Sequence, residues 1–224
     1  PKDVISNKDE KPVLLNVREL YLYFEEAKKL SVYARAGAAV RRLLGTGDIK
    51  LFCETYLNKP PGGLSTPWHQ DWPLLPFDNR EAVNCYTALE DISVEQGALR
   101  VGSGSHRLGS LYWPKSFGEQ IPLQKLLSDE DRELLATLAA PGDKMMDGVP
   151  VHEMPFKAGD ALIFSTMSLH GAGGNNTDRP RRAWARIIIN SNMRYTGMPY
   201  LKTDSVGLSP GANFDLPRYP AFAE

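Results

Sequence analysis

The chain has 224 residues, with 26 Lys+Arg against 27 Asp+Glu, four His and two Cys. A net charge of −1 gives no electrostatic reason to expect a nucleic-acid backbone or an anionic membrane as partner. Two cysteines cannot build a disulfide framework or a multi-cysteine zinc site, and no apolar run reaches the ~18 residues of a membrane span.

Residues 1–12 (PKDVISNKDEKP) are polar and bounded by proline, and we read them as a loose lead-in that lacks the apolar core of a signal peptide. Pro1 stands where an initiator Met is expected, so we read the start as trimmed, with any N-terminal organelle address out of view. From Val17 to Leu44 the pattern is helical. Leu30, Tyr33, Ala36, Val40 and Leu44 recur at steps of three and four, and Gly45 sits where a glycine stops a helix. Gly37 weakens that helix, since an interior glycine costs roughly 1 kcal/mol against alanine.

After Gly47 the segments 50–58, 81–90, 97–102, 160–166 and 182–192 are rich in β-branched or aromatic residues and separated by Gly/Pro/Asn/Asp clusters, which predicts strands. A helical insert is predicted over Leu123–Leu138, with Ser128 as internal N-cap and Asp131 three positions on. The Pro-rich residues 198–224 read as an irregular tail. The chain ends in Phe222-Ala223-Glu224, which is no peroxisomal address of the Ser-Lys-Leu kind. Many short strands after a helical start argue for one mainly β domain over 1–224, a barrel or jelly roll with flanking helices and a core at 50–192. Cys53 and Cys85 read as buried free thiols, in keeping with a reducing, cytoplasmic setting.

Trp68-His69-Gln70-Asp71 follows the Pro-Gly-rich stretch 60–67. On a regular strand His69 and Asp71 would share one face, with Gln70 on the other. Such a pair can ligate a metal, or can be a structural hydrogen-bonded pair. His170 ends the apolar run 160–169 and opens into Gly171-Ala172-Gly173-Gly174, which suits a residue facing a cavity. Two His and one carboxylate form the facial triad of a non-heme Fe(II) oxygenase, which keeps positions open for a co-substrate and dioxygen. Arg181, in Arg179-Pro180-Arg181-Arg182, is placed to clamp a dicarboxylate, with Arg179 and Arg182 as competitors.

These pieces, with Asn58-Lys59-Pro60-Pro61, Thr87-Ala88-Leu89-Glu90-Asp91-Ile92, Gln96-Gly97-Ala98-Leu99, Gly104-Ser105-His106-Arg107, Ala158-Gly159-Asp160 and Asn175, resemble the phytanoyl-CoA dioxygenase family of Fe(II)/2-oxoglutarate oxygenases from about Leu51 to Asn192. The resemblance implies a double-stranded β-helix (a cupin-like jelly roll) with Fe(II) held by His69, Asp71 and His170. It implies 2-oxoglutarate chelated to the iron by its 1-carboxylate and 2-keto oxygens, its distal carboxylate held by Arg181, and O2 as oxidant. Succinate and CO2 would be released as a C–H bond of a small-molecule substrate is oxidised, most simply by hydroxylation. Asp71 separates the chain from related halogenases, which carry a small residue there.

Members often place a hydroxyl residue two positions after the distal His. Here that position is Ala172, and Thr87 is the candidate to replace it. Lys59 is a further co-substrate candidate by resemblance, or else a solvated lysine. Among Trp68, Trp72, Phe77, Tyr86 and Trp113, we favour Trp72 and Tyr86 as substrate-lining residues, the alternative being core packing. His106 reads as a loop brace and His152 as a surface strand residue. Two competing functions are a non-catalytic binding or regulatory protein on the same scaffold and a cupin-like metalloenzyme that does not use 2-oxoglutarate. The first would be expected to lose one of His69, Asp71, His170 or Arg181, and the second would not need Arg181.

Overall fold

The longest ladder joins β3 (Ile49–Lys59) to β10 (Arg181–Asn190), antiparallel, with Lys59 opposite Arg181 at one end and Ile49 opposite Asn190 at the other. The computed structural model that contains it describes residues 2–6, 12–29, 32–108, 146–200, 203 and 206–222. β1 (Lys2–Ser6), β2 (Pro12–Arg18), β5 (Ala82–Ala88) and β8 (Ala161–Ser165) extend this sheet in the order β1-β2-β3-β10-β5-β8. A second sheet has the order β4-β9-β6-β7, from β4 (Thr66–His69), β9 (His170–Ala172), β6 (Leu99–Gly102) and β7 (Val151–Glu153). Among the described residues every strand pairing is antiparallel. Among the described residues the chain passes from one sheet to the other six times between β3 and β10, the winding of a double-stranded β-helix.

Alternation divides the larger sheet into two faces. Val83, Cys85, Trp184 and Ile188 pack with Ala36 and Val40 of α2 (Val32–Leu44), burying the outer face under that helix. Tyr86, Ala88 and Ala183 face the interior with Leu99 and Phe164. One end is closed by Phe52, Phe77 and Ile189 against Phe214 and Tyr219 of the C-terminal segment. Gly37, out of place by helix propensity, is where Phe222 lies on α2: a Cβ there would meet Phe222 Cδ1 at 2.7 Å.

Three expectations are corrected. Lys2–Ser6, read as part of a loose lead-in, is strand β1, paired with β2; the β-branched Val4-Ile5 outweighs the polar residues around it. Helix does not begin at Val17. β2 runs through Arg18 and pairs Val17 with Tyr56, then Glu19 turns the chain with a left-handed φ of 58° before a 3₁₀ turn at Leu20–Leu22. A short helix, α1 (Glu25–Lys29), then precedes α2. Sheet pairing overrides the helical period there. The apolar run 160–169 is not one strand: β8 stops at Ser165, where Ser168 N–H donates to Ser165 O, and His170 starts β9 in the other sheet. The predicted helix at 123–138 and Trp113 lie outside the described residues. Among the described residues no helix is long and apolar enough to cross a membrane.

Gly97 caps the 3₁₀ turn Val94–Gln96 with a φ of 74°, and a Cβ on it would stand 2.5 Å from Gly173 O. Gly97→Ala is therefore expected to destabilise the fold by more than about 1 kcal/mol, measured as a lower midpoint of urea unfolding; an unchanged midpoint would show that the loop after β9 yields freely.

Candidate metal centre

His69 and His170 are cross-strand partners on β4 and β9, with ring centroids 4.1 Å apart. The two strands approach closely because Gly171 has no side chain: a Cβ there would lie 2.8 Å from Thr66 O. Each imidazole is oriented the same way. His69 Nδ1 lies 2.9 Å from Pro67 O and His170 Nδ1 lies 3.0 Å from Ser168 O. A carbonyl only accepts, so both Nδ1 atoms carry the proton and both Nε2 lone pairs point inward, the arrangement that a metal-binding histidine requires. Burial and the adjacent His170 push the His69 pKa well down, which keeps its ring neutral at neutral pH.

Asp71 completes the group. It does not lie on a regular strand with His69, as expected, because β4 ends at His69. Asp71 takes a helical φ/ψ of −76°/−35° and opens the 3₁₀ turn Trp72–Leu74. Its N–H and that of Trp72 both donate to Thr166 O, and the buried Gln70 donates to Met167 O, tying the motif to the turn before His170. Asp71 Oδ1 is 3.7 Å from His69 Nε2 and Oδ2 is 3.7 Å from His170 Nε2. The candidate ligand atoms of all three residues lie within 4.8 Å of one another. Two imidazoles and one carboxylate on one side fit a divalent transition metal with open positions.

Arg181 begins β10 on the interior face and is 2 % exposed, whereas Arg179 and Arg182 are exposed; this separates the three candidates. Its Nη1 donates to Tyr86 OH at 2.7 Å, its Nε is buried without a partner, and among the described residues no carboxylate pairs with it. A buried guanidinium in this state fits an anionic ligand. Lys59, opposite it on β3, is 0 % exposed and donates to Gly173 O (2.6 Å) and Leu64 O (2.9 Å). It is not a solvated lysine. Asn175, fully buried, donates from Nδ2 to Lys59 O, Pro60 O and Arg179 O and so joins the ends of β3 and β10.

Thr87 is not gathered into this group. It faces away from the interior on β5, where its hydroxyl accepts from Arg186 Nη2, because odd-numbered residues of this strand point toward the helices. The hydroxyl absent at Ala172 is offered instead by Thr66. Thr66 is the cross-strand partner of Ala172, and its Oγ1 is 3.5 Å from Lys59 Nζ. The signal was hidden: only the β4–β9 register makes Thr66 and Ala172 neighbours. Tyr86 faces the same interior, and its OH accepts from Arg181 Nη1. Trp72 directly follows Asp71 and packs toward Phe77. His106 is exposed, and the residue that braces its loop is Ser105, whose Oγ donates to Gly102 O and accepts from Leu169 N–H. His152 is exposed on β7, and both cysteines are buried and outside any disulfide.

Burial, with Arg181 and Arg100 nearby, lowers the Lys59 pKa to about 7. The unfolded chain keeps that proton to about pH 10, so between the two values unfolding takes up a proton and stability rises with pH. Thermal melts of the metal-free protein are expected to shift upward from about pH 7 to 9 relative to Lys59→Met; parallel curves for the two proteins would count against the lowered value.

The sequence profile of the family described as phytanoyl-CoA dioxygenase (PhyH) matches residues 7–183. Over 171 residues the chain is 25 % identical to a probable alpha-ketoglutarate-dependent hypophosphite dioxygenase of Stutzerimonas stutzeri, covering 76 % of this chain and 55 % of the relative. It is 31 % identical to a methylphosphonate hydroxylase of Gimesia maris, covering 65 % and 52 %, and 27 % identical to the human peroxisomal phytanoyl-CoA dioxygenase, covering 83 % and 55 %. The chain thus spans about half the length of the curated relatives it matches. Among solved structures, the non-heme alpha ketoglutarate dependent epimerase SnoN from nogalamycin biosynthesis superposes with a TM-score of 0.76 at 23 % identity, covering 100 % of this chain and 83 % of that one, which shows the shared fold. With its profile match running from before β2 into β10, the chain belongs to the phytanoyl-CoA dioxygenase family.

Proposed function

We propose that this chain is the catalytic core of an Fe(II)- and 2-oxoglutarate-dependent dioxygenase that oxidises, most simply hydroxylates, a C–H bond of a small organic substrate and releases succinate and CO2. The observation that carries this reading is the pairing of a metal-ligand set and an anion-binding arginine on one inner surface. The His69–Asp71–His170 group, with both Nδ1 atoms turned to backbone carbonyls, faces the same interior as a buried Arg181 that has no carboxylate partner among the described residues. A cupin-like metalloenzyme without 2-oxoglutarate has no use for the second site, and a non-catalytic protein has no use for either.

Iron, when bound with 2-oxoglutarate and dioxygen, supplies the oxidising power. The chain's own residues supply binding and placement. Arg181 holds the distal carboxylate, with Tyr86 OH fixing its guanidinium plane. Lys59 and Thr66 add an amine and a hydroxyl, both able to donate hydrogen bonds, at the same end. His69 and His170 donate from Nε2 while their Nδ1 protons stay on backbone carbonyls. Phe164, whose ring centroid is 4.8 Å from that of His170, helps exclude water. Trp72 and Tyr86 are the first places to look for substrate contact. The buried thiols favour a reducing, cytoplasmic setting.

Succinate release, followed with Fe(II), 2-oxoglutarate and a panel holding methylphosphonate, hypophosphite and acyl-CoA thioesters, tests the reading and sorts substrates. These classes are those that the relatives' names contain. If metal-loaded protein neither binds 2-oxoglutarate nor shows the weak visible charge-transfer band of its Fe(II) complex, the reading fails. Arg181→Ala is expected to raise the 2-oxoglutarate requirement by roughly 10- to 100-fold with little change in the iron requirement. His170→Ala is expected to abolish tight metal binding, and retained turnover would remove His170 from the ligand set.

A further inference from the structure

Asp71 has one side-chain neighbour that the functional reading leaves without a task. Asn84 lies mid-way along β5 on the interior face, 8 % exposed, with Phe164 opposite it on β8 and Ile187 opposite it on β10. Its Nδ2 donates to Asp71 Oδ2 at 3.0 Å. A carboxylate only accepts, so the amide nitrogen must face Asp71 and the amide oxygen must face away. That oxygen, Asn84 Oδ1, is buried and has no partner. Its neighbours across both strand pairings are hydrocarbon and can offer no proton.

For the fold alone, an apolar side chain of the same shape would serve better at this position, because a buried carbonyl without a donor is unfavourable. The amide's single side-chain hydrogen bond goes to a candidate metal ligand. Asp71 presents Oδ1 toward His69 Nε2 and Oδ2 toward His170 Nε2, each at 3.7 Å. A carboxylate free to turn about its Cβ–Cγ bond can offer a metal one oxygen or both. Two-oxygen ligation would close a position that a chelating co-substrate or dioxygen needs. A proton donor fixed on Oδ2 ties up one of its lone pairs and sets the carboxylate plane.

We propose that Asn84 is a positioning residue for Asp71: its amide N–H holds the carboxylate so that Oδ1 alone is presented with the two imidazole nitrogens. This rests on the metal-site reading above. It makes Asn84 a determinant of how many positions on the metal stay open, acting through Asp71 and not by touching the metal.

The test uses Co(II) alone as probe, read by its visible absorption, on the whole chain and on Asn84→Leu. The metal-free N84L protein is expected to melt at the wild-type temperature or higher, since it loses an unpaired buried oxygen. Its Co(II) affinity is expected to fall by roughly 10- to 100-fold, the range found when the hydrogen-bond partner of a metal ligand is lost, with a changed visible band as the carboxylate turns. Asn84→Ser, which keeps a donor on a shorter stem, is expected to fall between the two and serves if N84L does not fold. Unchanged Co(II) affinity and an unchanged band in a folded variant would overturn the proposal. So would a lower melting temperature with unchanged affinity, which marks a purely structural role. Failure of the wild-type chain to bind Co(II) is a different result: it overturns the metal-site reading itself.

Discussion

The site depends on how closely β4 and β9 approach. Their ladder is short, with Thr66 opposite Ala172 and His69 opposite His170. Gly171 is what allows the contact, because any side chain on it would press into the backbone at Thr66 and Pro67. This one close approach sets the imidazoles side by side. It also brings the Thr66 hydroxyl beside Ala172 and toward Lys59, so that the candidate metal ligands and the Lys59 end of the interior share one backbone origin. Residues that look unrelated along the chain are held in register by a strand pair that could not form with a larger residue in the middle.

Electrostatics divides the molecule in two. On the outer face of the large sheet, polar groups have protein partners: Glu54 accepts from Tyr21 N–H and Trp184 Nε1, and Arg186 donates to Thr87 and Cys85. On the inner face, among the described residues, Asn84 Oδ1 and Arg181 Nε have no hydrogen-bond partner, and the two histidines stand beside Asp71. Buried polar groups without partners oppose folding. Arg181 Nε and Asn84 Oδ1 share the inner surface with the candidate metal ligands, which fits a site built for ligands.

Much of this was legible in the amino-acid sequence. The β-branched segments became β3, β5, β6, β8 and β10 with small shifts at their ends, and the WHQD motif, His170 and Arg181 were recognisable by residue type and spacing. What was hidden came from contacts between segments distant in sequence. Val17 reads as helical because its apolar spacing fits a helix, yet pairing with Tyr56 makes it strand. The run 160–169 is uniformly apolar, so nothing in its composition marks the change of sheet after Ser165. Thr87 looked well placed until strand parity turned it toward the helices, while Thr66 and Asn84 carry no signal outside their registers. Ser105 was overshadowed by the neighbouring His106, although the hydroxyl is the group that the tight turn uses.

Asn175 has a consequence for selectivity. Its one amide group holds the carbonyls of Lys59, Pro60 and Arg179, so the two strand ends that carry the interior cations cannot slide relative to each other. The separation between the cationic end and the histidine pair is therefore set by backbone and not by side-chain rotation. Such an interior acts as a ruler. On the proposed reading, a dicarboxylic acid of the right length would touch both ends at once, and one carbon more or less would leave one end without a partner, so that chain length and not charge alone would select the acid.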